Sequence, residues 1–370
     1  MSSQHNPTIK ILVVDDSAFM RKAITMMLET DPDIKVIGSA RDGEEGVEKA
    51  LKLRPDLVTM DIEMPRMDGL AALKKIMASH PMPVVMLSSL TTEGADATLD
   101  ALELGAVDFI PKQLSFVSLD IVKIQDELIN KIKNIVSHKH TMMASIKRRL
   151  AMSGKKNTAT RSAGIIKSPI SNVARGIKKR NHPIDIIAIG SSTGGPLALQ
   201  DVIPKLPRNF PVGIVLAQHM PAKFTKSLAD RLNSLSQVSV VEAHGGEEIE
   251  AGVVYIAPGQ KHLLIRKSGS KAIAIVTNHP QESLYKPCVD ILMNSVAEIF
   301  GGRSMGVILT GMGNDGMEGM KHMKSKNSVI IAQNETSCVV YGMPKAVVDA
   351  GIADHVASIE DISNEIVSYF

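Results

Sequence analysis

Residues 9–136 alternate between short apolar runs and segments in which apolar residues recur every three or four positions. The short runs predict strands at Ile9–Val14, near Val36, and at Asp56–Met60, Val84–Leu87 and Val107–Ile110. The periodic segments predict helices over Phe19–Leu28, Gly43–Leu53, Leu70–Ala78, Ala95–Leu104 and roughly Leu119–Val136. Strand–helix units of this kind predict a five-stranded parallel (βα)5 sheet with helices on both faces.

The same alternation returns over residues 183–370. It predicts strands at Ile184–Ile189, Val212–Ala217, Val238–Ala243, Gly252–Ala257, His262–Arg266, Ala272–Val276, Met305–Leu309 and Val329–Ala332. It predicts helices at Leu197–Ile203, Phe224–Leu232, Val289–Ile299, Gly316–Lys324, Pro344–Ala350 and Ile359–Val367. We expect a second, doubly wound α/β sheet that is mostly parallel, with an antiparallel excursion near 252–276.

Periodicity fades over residues 137–182, which we predict to be a basic, flexible linker between the two domains. Residues 147–180 hold 11 of the 42 Lys and Arg and no Asp or Glu, so the rest of the chain has 31 basic and 39 acidic residues, a net charge of −8. A nucleic-acid-binding protein more often carries its positive charge on a folded face, so we expect no nucleic-acid partner. Contact of the linker with RNA or an anionic membrane stays an alternative to a solvated tether that lies against the acidic domains.

The composition of the chain argues against a membrane-spanning, exported or disulfide-rich protein. No apolar stretch approaches the roughly 20 residues that span a membrane, and the N-terminal residues lack an apolar signal core. Two cysteines, Cys288 and Cys338, provide neither a disulfide framework nor metal-ligand spacing. We therefore expect a cytoplasmic protein. Separately, we expect a monomer that reaches the membrane only through a partner.

Aspartate, serine and lysine residues follow four of the predicted strands of the first domain. Asp15 and Asp16 follow the first strand, Asp61 the third, Ser88 the fourth and Lys112 the fifth. The carboxyl ends of parallel strands meet at one edge, so these side chains should converge. Three close carboxylates need a cation, and oxygen ligands suit Mg²⁺. Strand-end caps and solvated acids are the alternative interpretation.

The motifs ILVVDDS, MDIEMPRMDG and GAVDFIPK make residues 9–136 resemble the response-regulator receiver domain. The resemblance implies that Asp61 accepts a phosphoryl group from a partner histidine kinase, and that Asp15 and Asp16 help it to hold Mg²⁺. It implies that Ser88 and Lys112 contact the phosphoryl group and that Phe109 is the aromatic switch. The family usually has Pro after the lysine, where this chain has Gln113.

A small-residue turn follows the first strand of the second domain. Residues 190–194 match G-x-S-x-G with Ser192 at the centre, which is typical of a serine nucleophile or of a turn that cradles phosphate. His219 and Asp315 follow two further strands, so a hydroxyl, an imidazole and a carboxylate share one sheet edge. The backbone N–H groups of Met312 and Thr193 are candidate oxyanion donors.

The chain order Ser, His, Asp differs from the Ser, Asp, His order of α/β-hydrolases, so we predict a different sheet topology. The motifs IAIGSSTGGP, AQHMP, YIAPG, KPCVDILMNSVA, GVILTGMGNDG and IAQNETSCVVYGMP resemble the catalytic domain of chemotaxis protein-glutamate methylesterases. The resemblance implies a triad of Ser192, His219 and Asp315 and an oxyanion hole at Met312. Ser191 stands where the family commonly has Ala, which leaves two candidate nucleophiles, and position in the motif favours Ser192.

The two resemblances together imply a phosphorylation-activated hydrolase without a cofactor for its ester chemistry. Its expected substrates are glutamate γ-methyl esters, and glutamine amides, on chemoreceptors. An esterase in a signalling pathway outside flagellar chemotaxis, a non-enzymatic receiver-linked regulator and a transcription regulator remain alternatives. The sequence names neither the receptor nor the kinase.

Overall fold

The computed structural model of the protein describes residues 8–112, 121–139, 142–144, 146–147 and 183–370. The first domain has a parallel sheet of strand order β2-β1-β3-β4-β5, which confirms the predicted (βα)5 architecture. Its strands are β1 (Ile9–Val14), β2 (Ile34–Ala40), β3 (Leu57–Asp61), β4 (Val84–Ser88) and β5 (Asp108–Pro111). Its helices are α1 (Ala18–Leu28), α2 (Gly43–Leu53), α3 (Gly69–Ser79), α4 (Thr92–Glu103) and α5 (Ile121–Ser137).

Local chemistry explains where these helices begin. The side chains of Ser17, Asp42, Asp68 and Thr91 each accept a hydrogen bond from a backbone N–H in the first turn of the helix that follows. Such N-caps satisfy donors that no carbonyl within the helix can reach. The caps fix the loops after the strands, and the polar strand-end residues lie in or beside those loops.

The second domain contains a seven-stranded sheet of order β14-β13-β12-β6-β7-β9-β8 and a separate hairpin, β10-β11. The strands are β6 (Ile186–Ser191), β7 (Gly213–Gln218), β8 (Ser239–Glu242), β9 (Val253–Ile256), β10 (His262–Ser268), β11 (Lys271–Thr277), β12 (Ser304–Ile308), β13 (Val329–Gln333) and β14 (His355–Ala357). The helices are α6 (Gly195–Val202), α7 (Phe224–Leu235), α8 (Val289–Phe300), α9 (Met317–Ser325), α10 (Met343–Asp349) and α11 (Ile359–Val367).

Two details of the predicted second sheet are wrong. The expected antiparallel excursion near 252–276 begins too early, because β9 pairs in parallel with both β7 and β8, and the antiparallel pairing is that of β10 with β11. The sequence analysis also missed β14, which pairs with the edge of the sheet beside β13. The three residues of β14 are at least partly exposed, so they form no apolar run that would indicate a strand.

The linker predicted over 137–182 lies mostly outside the described residues, as does Gln113. Within that range, residues 142–144 and 146–147 are helical, and the side chains of Met142, Met143 and Ile146 are buried. The two domains also contact each other directly through α4 and α7. This contact packs the two domains against each other.

Candidate functional site

Strand order brings three loops of the second domain together. β12, β6 and β7 are neighbours, so the segments that follow them leave the sheet side by side. The Ser192 N–H donates to Thr310 O at 3.0 Å, which ties the loop after β6 to the loop after β12. The His219 N–H donates to Ser191 O at 3.1 Å, which ties the loop after β7 to the end of β6. The predicted convergence on one sheet edge is present in the fold.

The two adjacent serines have different surroundings. Ser191 is fully buried, and its Oγ donates to Gln218 Oε1 at 2.7 Å. Ser192 is half-buried, and none of the hydrogen bonds between described residues uses its Oγ. A Cβ at Gly311 would lie 2.9 Å from the Ser192 Cβ, so glycine lets the loop after β12 approach the serine. Of the two serines, Ser192 is therefore the one whose hydroxyl has no hydrogen bond among the described residues.

His219 and Asp315 form a hydrogen-bonded pair. The distance from His219 Nε2 to Asp315 Oδ2 is 2.7 Å, and both side chains are largely shielded from solvent. Because Nε2 faces the carboxylate, Nδ1 is the ring nitrogen left to take a proton from a nucleophile. Ser192 Oγ and His219 share no hydrogen bond within the described chain, and catalytic bonds are often longer before substrate binds.

Asp315 is held at the N-terminus of α8. The backbone N–H groups of Val289 and Asp290 donate to Oδ2 and Oδ1 at 2.8 and 2.9 Å, and the Cys288 thiol donates to Oδ1 at 3.2 Å. Burial, and then the charge of Asp315, raise the pKa of Cys288 to about 12, so this thiol remains a donor. These donors fix both carboxylate oxygens and leave His219 in one orientation.

The same contacts keep Asp315 ionised. Burial by itself would raise its pKa, but the hydrogen bond and charge of His219 and the N–H groups of Val289 and Asp290 together lower the pKa to about 2. Burial and the neighbouring Asp315 charge raise the pKa of Asp290 to about 6. Of these two adjacent carboxyl groups, Asp315 is therefore the permanent anion, as an orienting acid must be.

Tyr285 is a contact that the sequence analysis missed. Its ring stacks on the His219 imidazole, with ring centroids 4.4 Å apart and planes 12° from parallel. Tyr285 lies in the loop between β11 and α8, where no periodicity marks its direction. The stacked ring limits rotation of the imidazole.

The two predicted oxyanion donors lie on opposite loops of the site. The backbone N–H groups of Thr193, after β6, and Met312, after β12, donate to no carbonyl within the described residues. Gly194 has φ of +77°, so the turn after Thr193 needs glycine. Backbone N–H groups that have no carbonyl acceptor can stabilise an oxyanion if they point toward it.

The polar strand ends of the first domain also converge. Carboxylate oxygens of Asp15, Asp16 and Asp61 all lie within 4.8 Å of one another. Lys112 Nζ lies 2.7 Å from Asp15 Oδ2 and 2.6 Å from Asp61 Oδ2. Ser88 is oriented differently, since its Oγ donates to Gly94 O at 3.0 Å and accepts from Thr98 Oγ1 at 2.7 Å. The acids and the lysine form one cluster, and the Ser88 hydroxyl is engaged with α4.

This cluster fits a divalent cation. Burial is the main reason why the pKa of Asp61 rises to about 6, and the charge of Asp15 adds to the rise, while Lys112 opposes it. One ammonium group therefore does not compensate the buried carboxylates. Hard oxygen ligands at this spacing are the set that Mg²⁺ prefers. The residues that could hold the ion are Asp15, Asp16 and Asp61.

The first domain contacts the candidate site of the second directly. Phe109 stacks on Phe224, with centroids 4.7 Å apart and planes 3° from parallel. Next to it, Asp108 Oδ2 accepts a hydrogen bond from Thr193 Oγ1 at 2.8 Å. The predicted aromatic switch therefore lies against the second domain, and its neighbour Asp108 bonds the residue directly after Ser192.

Two further contacts cross the same interface. The Asn134 side-chain amide donates to Met312 Sδ at 3.2 Å. Arg231 on α7 bridges two acids of α4, with N–O distances of 2.7 Å to both Asp100 and Glu103. The first domain thus touches both loops that carry the oxyanion candidates.

Over the described parts of the chain, none of the helices is both long and apolar enough to cross a membrane.

Comparisons with known proteins agree with this architecture. The CheB methylesterase family model matches residues 187–366, and the response regulator receiver domain model matches residues 11–122. A protein-glutamate methylesterase/protein-glutamine glutaminase of Oleidesulfovibrio alaskensis is 52% identical over 364 residues, which cover 97% of this chain and 99% of the relative. A relative with the same name from Pyrococcus abyssi is 41% identical and is covered over 93% of its length.

One solved structure extends the likeness to the fold. The CheB methylesterase catalytic domain of Thermotoga maritima is 43% identical, with a TM-score of 0.50, covering 51% of this chain and all of that domain. Full-length identity, both family models and the two-domain fold give one conclusion: the chain belongs to the protein-glutamate methylesterase/protein-glutamine glutaminase family, with a receiver domain ahead of a CheB methylesterase domain.

Proposed function

We propose that the protein hydrolyses glutamate γ-methyl esters of chemoreceptors, and deamidates receptor glutamines, with Ser192 as nucleophile, His219 as base and Asp315 as orienting acid. The observation that supports this proposal is the His219–Asp315 hydrogen bond of 2.7 Å, at the same sheet edge as Ser192, whose hydroxyl has no hydrogen bond among the described residues. The relatives carry both activities in their names.

The chemistry follows from the orientation of the imidazole. His219 takes the Ser192 proton on Nδ1 as Oγ attacks the carbonyl carbon, and the resulting oxyanion is stabilised by the N–H groups of Thr193 and Met312. His219 then gives the proton to departing methanol, or to ammonia from an amide. Water hydrolyses the acyl-enzyme, and the product is glutamate in both cases. No step needs a cofactor.

Control would come from the receiver. A histidine kinase would supply the phosphoryl group to Asp61. Asp15, Asp16 and Asp61 would hold Mg²⁺, whose charge would offset the negative charge that gathers during transfer. Asp108 and Asn134 of the receiver contact the oxyanion loops, and Phe109 stacks on the neighbouring helix. A phosphoryl group that engages Lys112 and Ser88 would change the β5 region and so weaken this interface. The cytoplasmic location and the monomeric state stay predictions.

The test is methanol release from methylated receptor by the purified protein, with and without a small phosphodonor and Mg²⁺. We expect release that rises with the phosphodonor in the wild type and does not rise in Asp61→Asn. Folded protein that releases no methanol under either condition would contradict the esterase assignment and favour a non-enzymatic regulator.

A further inference from the structure

A cleft of about 570 Å³ lies beside the loop that follows His219, and no step described above uses it. Its lining includes five polar side chains: Gln260, Lys261, Asn278, Gln281 and Lys286. Lysine and side-chain amides all offer N–H donors, so the lining is rich in donors and carries positive charge.

The cleft is connected to the catalytic histidine through both of its walls. On one wall, Gly259 packs on Ala222, three residues after His219, so closely that a Cβ at Gly259 would lie 2.3 Å from the Ala222 nitrogen. On the other wall, Lys286 directly follows Tyr285, whose ring stacks on the His219 imidazole. The Gln260 N–H donates to Lys286 O at 3.1 Å and joins the two walls. A group bound in the cleft would therefore lie beside the two segments that position His219.

The two lysines of the cleft differ from those lysines of the same domain that pair with a carboxylate. Lys271 pairs with Glu248, and Lys345 pairs with Asp349. Lys261 is exposed and Lys286 half-buried, and neither pairs with a carboxylate of the residues that the structure describes. Their charge is thus available to an incoming anion.

We propose that this cleft binds a carboxylate side chain of the substrate protein that flanks the hydrolysed residue. The proposal rests on the proposed function and deepens it. The reacting methyl ester or amide is neutral and needs no ammonium partner, so two unpaired lysines beside the site indicate an anionic neighbour on the substrate. The subsite would make the enzyme prefer esters within acidic stretches of a receptor helix. The newly formed glutamate is the other possible source of a carboxylate.

The test compares Lys261→Gln/Lys286→Gln with Lys267→Gln in the full-length, phosphodonor-activated protein. Lys267 is exposed near the opposite end of β10 and serves as the matched control. On methylated receptor we expect KM to rise about 10-fold in the double variant, with kcat within about 2-fold of wild type and a flatter dependence of KM on ionic strength. The control variant should match the wild type.

A second substrate separates the two carboxylate sources. The second substrate is a receptor whose flanking Asp and Glu are replaced by amides. The KM of the wild type should be higher for this receptor than for the unmodified one. The KM of the double variant should be the same for both receptors, because the lysines and the flanking carboxylates form one coupled pair. If amide replacement raised KM as much for the double variant as for the wild type, the proposal would be overturned. It would also be overturned if the double variant showed weaker product inhibition with an unchanged KM, because the lysines would then bind the newly formed glutamate. Wild-type protein that releases methanol, beside a double variant with unchanged KM, would refute the subsite and leave the esterase function intact.

Discussion

The two sheet edges each place an aspartate beside a cationic or basic partner, yet the pKa values of the two aspartates shift in opposite directions. Asp61 lies 2.6 Å from Lys112, and burial raises its pKa to about 6. Asp315 lies 2.7 Å from His219 Nε2 and is also buried, but its pKa is lowered to about 2. Proximity to the partner therefore does not decide the charge of either carboxyl.

The difference lies in what else surrounds each carboxyl group. Asp315 receives two backbone N–H groups from the start of α8, where the helix dipole also favours an anion. Asp61 shares its lysine with a second buried acid, Asp15. The edge with the candidate triad is thus electrostatically complete, whereas the receiver edge lacks a compensating positive charge among the described residues. The candidate esterase site and the candidate phosphorylation site differ in this way.

The largest effect is expected when the proposed nucleophile, Ser192, is removed from the edge with the candidate triad. We expect Ser192→Ala to lower kcat for methanol release by about 10⁴-fold or more, because the neighbouring Ser191 hydroxyl is buried and donates to Gln218. Phosphorylation of Asp61 should be unchanged. Ser191→Ala is the matched control, and it should keep activity within about 10-fold of wild type, since it loses only the buried bond to Gln218. The reverse ranking would assign the nucleophile to Ser191.

Asp315→Asn tests whether esterase activity needs the negative charge of the Asp315 carboxylate. The asparagine amide must place a donor against His219 or against one of the α8 N–H groups that now donate to Asp315. We expect kcat to fall by about 10³- to 10⁴-fold through loss of the correct histidine tautomer, with KM little changed. Steady-state methanol release measures this. A loss below tenfold would show that the orienting charge comes from elsewhere.

Asp61→Asn tests the charge deficit of the receiver edge. The folded-state pKa of about 6 lies above the ordinary 3.8, so the folded state binds the proton more tightly and ionisation destabilises it as pH rises through that window. Replacement by neutral Asn should stabilise the receiver by about 2 kcal/mol at pH 7 in EDTA, and by little at pH 4. Calorimetry at both pH values measures the gain. If Asp61→Asn raised the free energy of unfolding equally at pH 7 and pH 4, the ionisation of Asp61 would not be the cause of the gain.

The smallest expected effect concerns the interface that links the two edges. Arg231→Ala removes the bridges to Asp100 and Glu103 on the receiver. Partly exposed ion pairs contribute about 1 kcal/mol, so we expect basal esterase activity without phosphodonor to rise about 5-fold. Lys226→Ala is the control, because Lys226 pairs within α7 with Asp230. Equal basal activity in both variants would show that these bridges do not hold the receiver in place.

Much of both sites is predictable because strand ends are local features. A short apolar run followed by a polar residue identifies Asp61 or His219 without knowledge of the rest of the fold. In parallel sheets all such ends share an edge, which brings the acids near Lys112 and His219 near Asp315. Short, half-exposed β14 has no such pattern and escaped prediction.

Amino-acid order thus determined the two α/β domains, the acids of the receiver and the three residues of the candidate triad, because each follows from a pattern within a few positions. Only the tertiary structure decided that β12, β6 and β7 are neighbours, that Tyr285 stacks on His219, and that Asp108 bonds Thr193 across the domains. These contacts join residues far apart in the chain, and long-range packing rather than local preference selects them. The same packing buries Ser191 and leaves Ser192 half-buried, a difference that the sequence of the two adjacent serines does not reveal.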